Sequence, residues 1–481
     1  MISEVISVLF GLLGISWLYK IYKTNKWVKN NKKKNKNDNN NKKVYVLISV
    51  LDETKRIEDT VKYFYKVFKH INNFKIVLIS TEAEYSMHDK LIKSLISKIN
   101  KSSKQEILNI VQENTKLELS NSLFFDELMT KAVELVKKKE NTIELCKRLE
   151  KSNKIVSHYH YPKIGGKMAH QLNYGIKEII KKNGNCLFAV YNADSRPDLR
   201  TFDWVLSVKG IKVFQQYGRY FKNKSEFNGL IKSPLLWSAA AWQTRWALGF
   251  EINHAIKQFK FQDKPVIAKN LRYPLNYCIG HGLFFTTEIF NKLGGFSEDT
   301  YNEDAFFGLD LSYLNELIMP IPYYEEGDSP NTIKGLYIQK STWFFGPLQA
   351  FNYMKKIRKK RKDKKLFPLI ILTCKLFSHA IYWIIGPTAL VLSLILALIN
   401  TTYINIGLWF LGYFLFIPLP NYYAWKVSQE KTKKDILTFI KLFVGGLAMY
   451  LLHGLSAYKT LKDVIISKVT GKNVKKQKTP N

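Results

Sequence analysis

The sequence predicts an α/β protein with a mostly parallel sheet, set between membrane helices at its two ends. Three observations lead there. Between residues 44 and 216, short apolar runs alternate with stripes of helical period. Long stretches almost free of charge follow Leu366, and a shorter one lies near the N-terminus. The positive charge is concentrated beside those stretches. A chain of 481 residues can bury a large core and suggests two or three domains.

Val5 to Tyr19 carries no charge, Glu4 precedes it, and Lys20 and Lys23 follow, placed to snorkel. That order of charge is the reverse of a cleavable signal, so the expectation is an uncleaved anchor with residue 20 onward in the cytosol. Fifteen uncharged residues are short for a span of about 20, which leaves an interfacial helix open. Asn30 to Lys43 reads as a charged tether with nothing to bury. Val44 to Val50 reads as a strand. Ile57, Val61, Phe64, Phe68 and Ile71 form a helical stripe, with Asp52 or Thr54 as its cap, and Phe74 to Ser80 returns as a strand. This βαβ order implies parallel pairing. Glu84 to Lys154 lacks Gly and Pro and reads as two or three inserted helices. Strands follow at 154–159, 186–191 and 211–216, with a helix from about 167 to 181. Leu235 to Phe250, with three Trp but also Gln243 and Arg245, reads as a buried or membrane-grazing helix.

Leu366 to Ile399, Tyr403 to Trp425 and Ile436 to Leu455 predict two or three further spans. Three full crossings would leave the Lys-rich tail outside, against the positive-inside rule. One segment is then re-entrant or interfacial, or the first breaks in two; Ile417-Pro-Leu-Pro420 breaks a helix and Gly445-Gly446 weakens one. The expected organisation is an anchor at 1–22, a basic linker at 23–43, a cytosolic domain at 44–350 with a helical insertion at 84–154, a basic interfacial segment at 351–365, a membrane region at 366–458 and a basic tail at 459–481.

The formal charge is +35, from 74 Lys+Arg against 39 Asp+Glu. Residues 29–43, 355–365 and 459–481 supply +20 of it, all flanking apolar stretches, where anionic headgroups hold lysines. An Asn/Lys-rich composition with solvated charge runs accounts for part of the rest. No stripe of interleaved aromatic and basic residues supports nucleic-acid binding, and none is expected. Cys146, Cys186, Cys278 and Cys374 are single and widely spaced, which reads as buried thiols in a reducing compartment.

The chemistry-bearing residues fall at the ends of these elements. Phe188-Ala-Val-Tyr191 delivers Asn192-Ala193-Asp194 to a strand's carboxyl end, where ligands sit in open α/β sheets. A carboxylate there can hold a divalent cation against nucleotide phosphates. Glu303-Asp304 can supply a base, although two acids also suit any helix N-terminus. One carboxylate for a metal and one for a proton is the minimum kit for moving a sugar off a nucleotide. Gly165-Gly166-Lys167 with Gln171-Leu172-Asn173 lets backbone and positive charge approach an anion at a helix start.

These pieces, in this order, resemble the membrane-bound family 2 glycosyltransferases with a GT-A fold, the group that includes cellulose, chitin and hyaluronan synthases. The resemblance covers roughly Val44 to Gly346. It implies that Asp52 and Glu53 lie in the first donor loop and reach the nucleoside, with Glu82 where the family has an Asp near the base. Gly165-Gly166-Lys167 through Asn173 matches the family's GK…LN pattern, with Lys167 facing the diphosphate. Asn192-Ala193-Asp194 stands for the DxD, with Asp194 as the ligand of Mg²⁺ or Mn²⁺ and Asn192 on metal or ribose. Gly280-His281-Gly282 matches the acceptor-side loop. Glu303-Asp304 matches the ED pair, Asp304 being the base and Glu303 its support. Gln339-Lys-Ser-Thr-Trp343 matches QxxRW except for Thr342 in place of Arg, with Gln339 and Trp343 on the acceptor or diphosphate and Lys340 on the same strand, two residues before Thr342. The implied protein is a plasma-membrane, multi-pass, inverting hexosyltransferase with a cytosolic catalytic domain. It takes a nucleotide-sugar donor and a glycolipid or cell-surface polysaccharide acceptor. Asn192 and Thr342 keep open an inactive scaffold of a polysaccharide-assembly complex. The charge keeps open a basic nucleic-acid-binding membrane protein.

Overall fold

The structure is a computed structural model and describes residues 2–32, 42–68, 71, 73–115, 117–262, 275–399, 403–429 and 435–471. Residues 33–41 of the linker and 472–481 of the basic tail lie outside the described residues. The chain forms two compact units, Lys43–Asp194 and Met1–Lys42 with Ser195–Asn481, so the expected block 44–350 divides after Asp194.

In the first unit β1 (Val44–Ser49), β2 (Phe74–Thr81), β3 (Val156–Tyr161) and β4 (Leu187–Tyr191) run parallel in the order β3-β2-β1-β4. β1 lies between neighbours, with Ile48 opposite both Leu78 and Tyr191, and Val44 to Ile48 are buried. Burial on both faces is why it reads as a continuous apolar run. In the helix Ile57–Phe68, the stripe Ile57, Val61, Phe64 and Phe68 is fully buried. Phe68 stacks on Phe74 at 4.1 Å and Phe64 packs on Tyr191 at 5.3 Å. The helix Met168–Asn183 approaches β2 so closely that a Cβ on Gly175 would lie 2.6 Å from Ile79 Cδ1.

The insertion holds four helices rather than two or three: Ala83–Ile99, Lys104–Thr115, Phe125–Lys137 and Thr142–Ser152. The first three build a core of their own from Leu95, Ile99, Ile107, Val111, Leu128, Ala132 and Val136. The fourth begins with a reciprocal cap: the Glu144 N–H donates to Asn141 Oδ1 (2.9 Å) and the Asn141 N–H to Glu144 Oε2 (3.0 Å).

In the second unit the strands are β5 (Arg196–Pro197), β6 (Val213–Arg219), β7 (Leu283–Thr286) and β8 (Met319–Glu326), in the order β7-β6-β8-β5. β6 pairs parallel with β8 through a register shift between Gln215 and Tyr217, while β7 pairs antiparallel with β6 and β5 antiparallel with β8. Strand pairing within the units is therefore mostly parallel, as expected, with two antiparallel pairs in the second.

Among the described residues four helical stretches are long and apolar enough to cross a membrane: Ile2–Asn31, Leu366–Ile399, Tyr403–Ser428 and Ile436–Thr470. The N-terminal helix runs nine residues beyond the expected anchor end at 22, to Asn31. Its Val5, Val8, Leu9, Leu12 and Leu13 point outward, apolar surface of the kind that lipid covers. Its other face is small. Ser7, Gly11 and Gly14 receive the helix Tyr403–Phe416, and a Cβ on Gly412 would lie 2.5 Å from Ser7 O. Leu366–Ile399 stays one helix through Pro387, whereas Tyr403–Phe416 ends before Pro418, which opens Pro418–Ser428. Gly445 and Gly446 do not break the last helix. They admit the backbone of Pro234 and the side chains of Ile417 and Tyr413.

Leu235 to Phe250 is buried as expected. A helix, Lys232–Trp246, passes through a π turn, Ala247–Glu251, into Ile252–Gln262. Arg245, 1% exposed, donates to Phe416 O (2.6 Å) and lies over the rings of Trp17 and Trp242, each at 4.5 Å. The four cysteines are free; three are buried, but Cys374 is exposed, correcting the expectation, because its helix turns that face outward.

Candidate active site

In the first unit the chain leaves β1 for β2 and β3 on one side, then returns to place β4 on the other side of β1. The strand order reverses between β1 and β4, the kind of point where open α/β sheets bind ligands. The loops leaving the carboxyl ends of β1, β2, β3 and β4 carry Asp52-Glu53, Glu82, Gly165-Gly166-Lys167 and Asn192-Ala193-Asp194. The structure thus gathers every expected donor-side residue on one edge.

Each loop is fixed by groups that bind backbone. Asp52 adopts a left-handed φ of 56°, which Asp tolerates better than most residues. Its N–H donates to Glu84 Oε2 (2.7 Å), while Glu84 Oε1 accepts from the Thr142 N–H (3.0 Å) and Thr142 Oγ1 accepts from the Glu53 N–H (3.1 Å). Glu84, 2% exposed, is therefore the clamp of the first loop; sequence reasoning placed it in the insertion and missed it. Gln171 donates to Val50 O (3.1 Å) and Ile79 O (2.7 Å), tying the helix of the GK…LN motif to the ends of β1 and β2. Thr60 Oγ1 donates to Ala193 O and holds the NAD turn. A Cβ on Gly166 would sit 2.6 Å from the Tyr161 ring, so that position needs glycine. Lys167 is exposed at the start of Met168–Asn183.

Glu82 meets His160 Nε2 at 2.9 Å; His160 Nδ1 lies 2.9 Å from Ser80 Oγ, which lies 2.7 Å from His158 Nε2. Burial pushes the His158 pKa down to about 4.

The second unit holds the other expected residues. Glu303 and Asp304 open the helix Glu303–Tyr313 after Asn302. Glu303 is buried, and Asp304 is partly exposed with its carboxylate beside Gly280. His281 Nδ1 lies 3.0 Å from Glu325 Oε2 of β8, a carboxylate 1% exposed. The Gly280–Gly282 loop hangs on Gln215, which donates to His281 O (2.8 Å) and accepts from the Ile279 N–H (3.0 Å). Gly282 has φ 65° and lies against Gln216 O. Glu251, ending the π turn, is a further acid here. Burial pushes its pKa up to about 8, opposed by His281 and reinforced by Asp304.

Gln339 to Trp343 lie on a helix, Ile333–Leu348, and not on the expected strand; the Thr332 hydroxyl caps it by accepting from the Gly335 N–H (3.0 Å). Helical geometry puts Lys340 and Trp343 on one side, with Lys340 Nζ 4.7 Å from the ring centroid. Thr342 lies on another side, its carbonyl accepting from Asn302 Nδ2 (3.4 Å). Among the described residues no cluster of three or more His, Cys, Asp or Glu side chains is arranged around a metal. Of the basic segment, Arg361 forms a two-pronged pair with Asp310, 2.6 and 2.9 Å, and Asp310 is 1% exposed. That part is anchored to the helix Glu303–Tyr313 rather than free at a surface.

The fold is that of the GT-A nucleotide-sugar transferases. The chain is similar over 96% of its length, and 99% of the other, to the mannosyltransferase PcManGT from Pyrobaculum calidifontis, solved with GDP-Man and Mn2+, at a TM-score of 0.50 and 13% identity. S. aureus TarS 1–349 in complex with UDP-GlcNAc gives a TM-score of 0.36 at 9% identity, over 90% of this chain and 93% of that one. No curated protein matches the sequence. Residues 266–427 match the family model described as glycosyl transferase family group 2. Over those residues, about a third of the chain, it is similar to the glycosyltransferases of that group.

Proposed function

We propose that the protein is a membrane-bound inverting hexosyltransferase of the cell membrane, its catalytic units on the cytosolic side, moving a sugar from a nucleotide-sugar donor to a glycolipid or cell-surface polysaccharide acceptor. The observation that carries this reading is the gathering of Asp52, Glu53, Glu82, Lys167, Asn192 and Asp194 at the carboxyl edge of four parallel strands where strand order reverses. Asp52, Glu53 and Glu82 accept hydrogen bonds from the nucleoside, and Lys167 offers its charge at a helix start to the diphosphate. Asp194, partly exposed after the end of β4, fits Mg²⁺ or Mn²⁺: such an ion takes one or two protein carboxylates and fills its shell with phosphate oxygens and water. When bound, the ion neutralises charge on the departing diphosphate.

Asp304 accepts the proton of the acceptor hydroxyl as that oxygen attacks the anomeric carbon, and Glu303 and His281 support its loop. Gln339 and Trp343 bind the acceptor, the indole stacking on a sugar face. One displacement inverts the anomeric centre. Asp304→Asn keeps shape and removes the base. Transfer is expected to fall by about 10²- to 10⁴-fold while donor binding, read by thermal shift with Mn²⁺, stays nearly unchanged. If both fall together, Asp304 is not the base. Folded protein that shifts with no nucleotide sugar would instead favour the non-catalytic scaffold, to which Asn192 and Thr342 point.

A further inference from the structure

Four polar side chains form a line across β2 and β3 that ends on Glu82. Successive strand residues point to opposite faces. Ser80 and, two residues on, Glu82 therefore share a face of the sheet with His158 and His160 of β3, and His160 is the register partner of Ser80. The opposite face is taken by the helix Met168–Asn183, whose His170 and Tyr174 rings lie 5.7 and 5.9 Å from that of Tyr161. From the open end inward, Glu82 Oε1 meets His160 Nε2 at 2.9 Å, His160 Nδ1 meets Ser80 Oγ at 2.9 Å, and Ser80 Oγ meets His158 Nε2 at 2.7 Å. The Glu82 side chain is 35% exposed and that of His160 26%, whereas Ser80 is fully buried.

Donor and acceptor roles along this line follow from one requirement. An ionised carboxylate only accepts, so His160 Nε2 carries the hydrogen that faces Glu82. In a neutral ring Nδ1 then holds a lone pair, which takes the single Ser80 hydroxyl hydrogen, and Ser80 Oγ accepts from His158 Nε2–H. Burial, which lowers the His158 pKa to about 4, keeps that ring neutral. With both rings neutral, this is the one direction that satisfies all three contacts. His160 is thus held in one tautomer and one ring orientation, and it holds Glu82 Oε1 in turn. Among the described residues no hydrogen bond engages Glu82 Oε2.

We propose that His160 is a positioning residue for nucleobase recognition: it fixes the Glu82 carboxylate so that the second oxygen accepts a ring N–H at the centre of the base's pairing edge. Ser80 and His158 act through it by holding its tautomer. This rests on the glycosyltransferase reading, deepens its donor side and names the class of nucleotide. The central ring nitrogen of that edge carries a hydrogen in uracil and guanine and a lone pair in adenine and cytosine. A carboxylate held against it attracts the first two and repels the others, whereas one free to rotate would turn away and discriminate less.

The test uses the full chain in neutral detergent with Mn²⁺ and titrates UDP, GDP, ADP and CDP by calorimetry. Wild type is expected to bind UDP or GDP about ten-fold or more tighter than ADP and CDP. The preferred nucleotide is then compared with its methylated form, 3-methyl-UDP or 1-methyl-GDP, which lacks the ring hydrogen, and with ribose 5-diphosphate, which lacks the base. Methylation is expected to cost about ten-fold or more. His160→Phe keeps a ring and removes the donor. It is expected to weaken the preferred nucleotide about ten-fold, narrow the gap to the methylated form and leave ribose 5-diphosphate unchanged. His160→Gln restores an N–H within reach of Glu82 and is expected to stay within a few-fold of wild type. An unaffected His160→Phe, or one that loses ribose 5-diphosphate to the same degree, overturns the proposal. So does wild type that binds ADP, CDP or the methylated base as tightly. Should His160→Phe fail to fold, Ser80→Ala decides: a loss of about three- to ten-fold for the preferred nucleotide alone is expected, and no loss overturns the proposal. Folded wild type that binds none of the four nucleotides is a separate result and removes the glycosyltransferase reading itself.

Discussion

Two residues decide more than their position in the sequence suggests. Glu84 lies in a helix whose other face is solvent, yet it holds both the Asp52 and the Thr142 backbone. Glu84→Gln keeps one acceptor and turns the other end into a donor facing an N–H. We expect a loss of about 1–3 kcal/mol in stability and weaker nucleotide-sugar binding, checked by denaturant melts and donor titration. An unchanged donor affinity would separate the clamp from the binding loop. His158 gives a pH effect whose sign is fixed by its lowered pKa. The unfolded chain takes up a proton near 6.5, the folded one only near 4, so stability falls as pH drops through that window. His158→Gln is expected to flatten this part of the stability profile. Of the candidate site, the placement of Asp52, Glu53, Glu82, Lys167, Asn192 and Asp194 after strand ends was legible because those ends are marked by apolar runs. Glu84 and Gln215 were not, because an acid or amide that binds distant backbone leaves no local pattern, and neither was Glu325, whose partner His281 is distant in sequence.

At the scale of elements, the strands and the helices that carry the motifs fall within a few residues of their expected bounds, since their apolar stripes are set by burial on one or both faces. The exception is Gln339 to Trp343. A run mixing Gln, Lys, Ser and Thr among aromatics has no strong period, and the resemblance to a motif was taken together with a strand geometry it does not have here. Thr332 and the following Ile333–Leu348 supply the cap and length of a helix instead. The basic run after it also reads differently in three dimensions. Arg361 and Lys360 reach Asp310, so part of that charge fastens the helix Glu303–Tyr313 in place. Arg361→Ala leaves a buried carboxylate with Lys360 as its remaining cation, at 3.4 Å. The expected cost is about 3 kcal/mol, read as a lower melting temperature, and larger than for Lys362→Ala. Equal shifts for the two variants would mean that the pair contributes nothing beyond surface charge.

At the scale of the molecule, the membrane reading came from hydropathy, but hydropathy says nothing about which faces meet. Ser3, Ser7, Gly11 and Gly14 mark one side of the first helix, and Gly412 marks its partner. Lipid is as apolar as leucine, so helices associate there through close backbone approach rather than by escaping water. The N-terminal helix also continues past its apolar stretch to Asn31, with Trp17 over Arg245 and against Gly249 of the π turn that ends at Glu251. Seating of the first helix is thus coupled to the turn beside the acidic loop of the second unit. Gly412→Leu would drive a side chain into the Ser7 backbone and part the two helices. The expected result is a protein that still inserts, still shifts with nucleotide sugar, since the loops proposed to bind the donor lie in the first unit, and loses transfer by at least ten-fold. Gly407→Leu, on the same helix with open space around it, is the matched control and should leave transfer intact. If Gly412→Leu transfers normally, the first helix is an anchor only, and the contact through Trp17 does not set the geometry at Glu251.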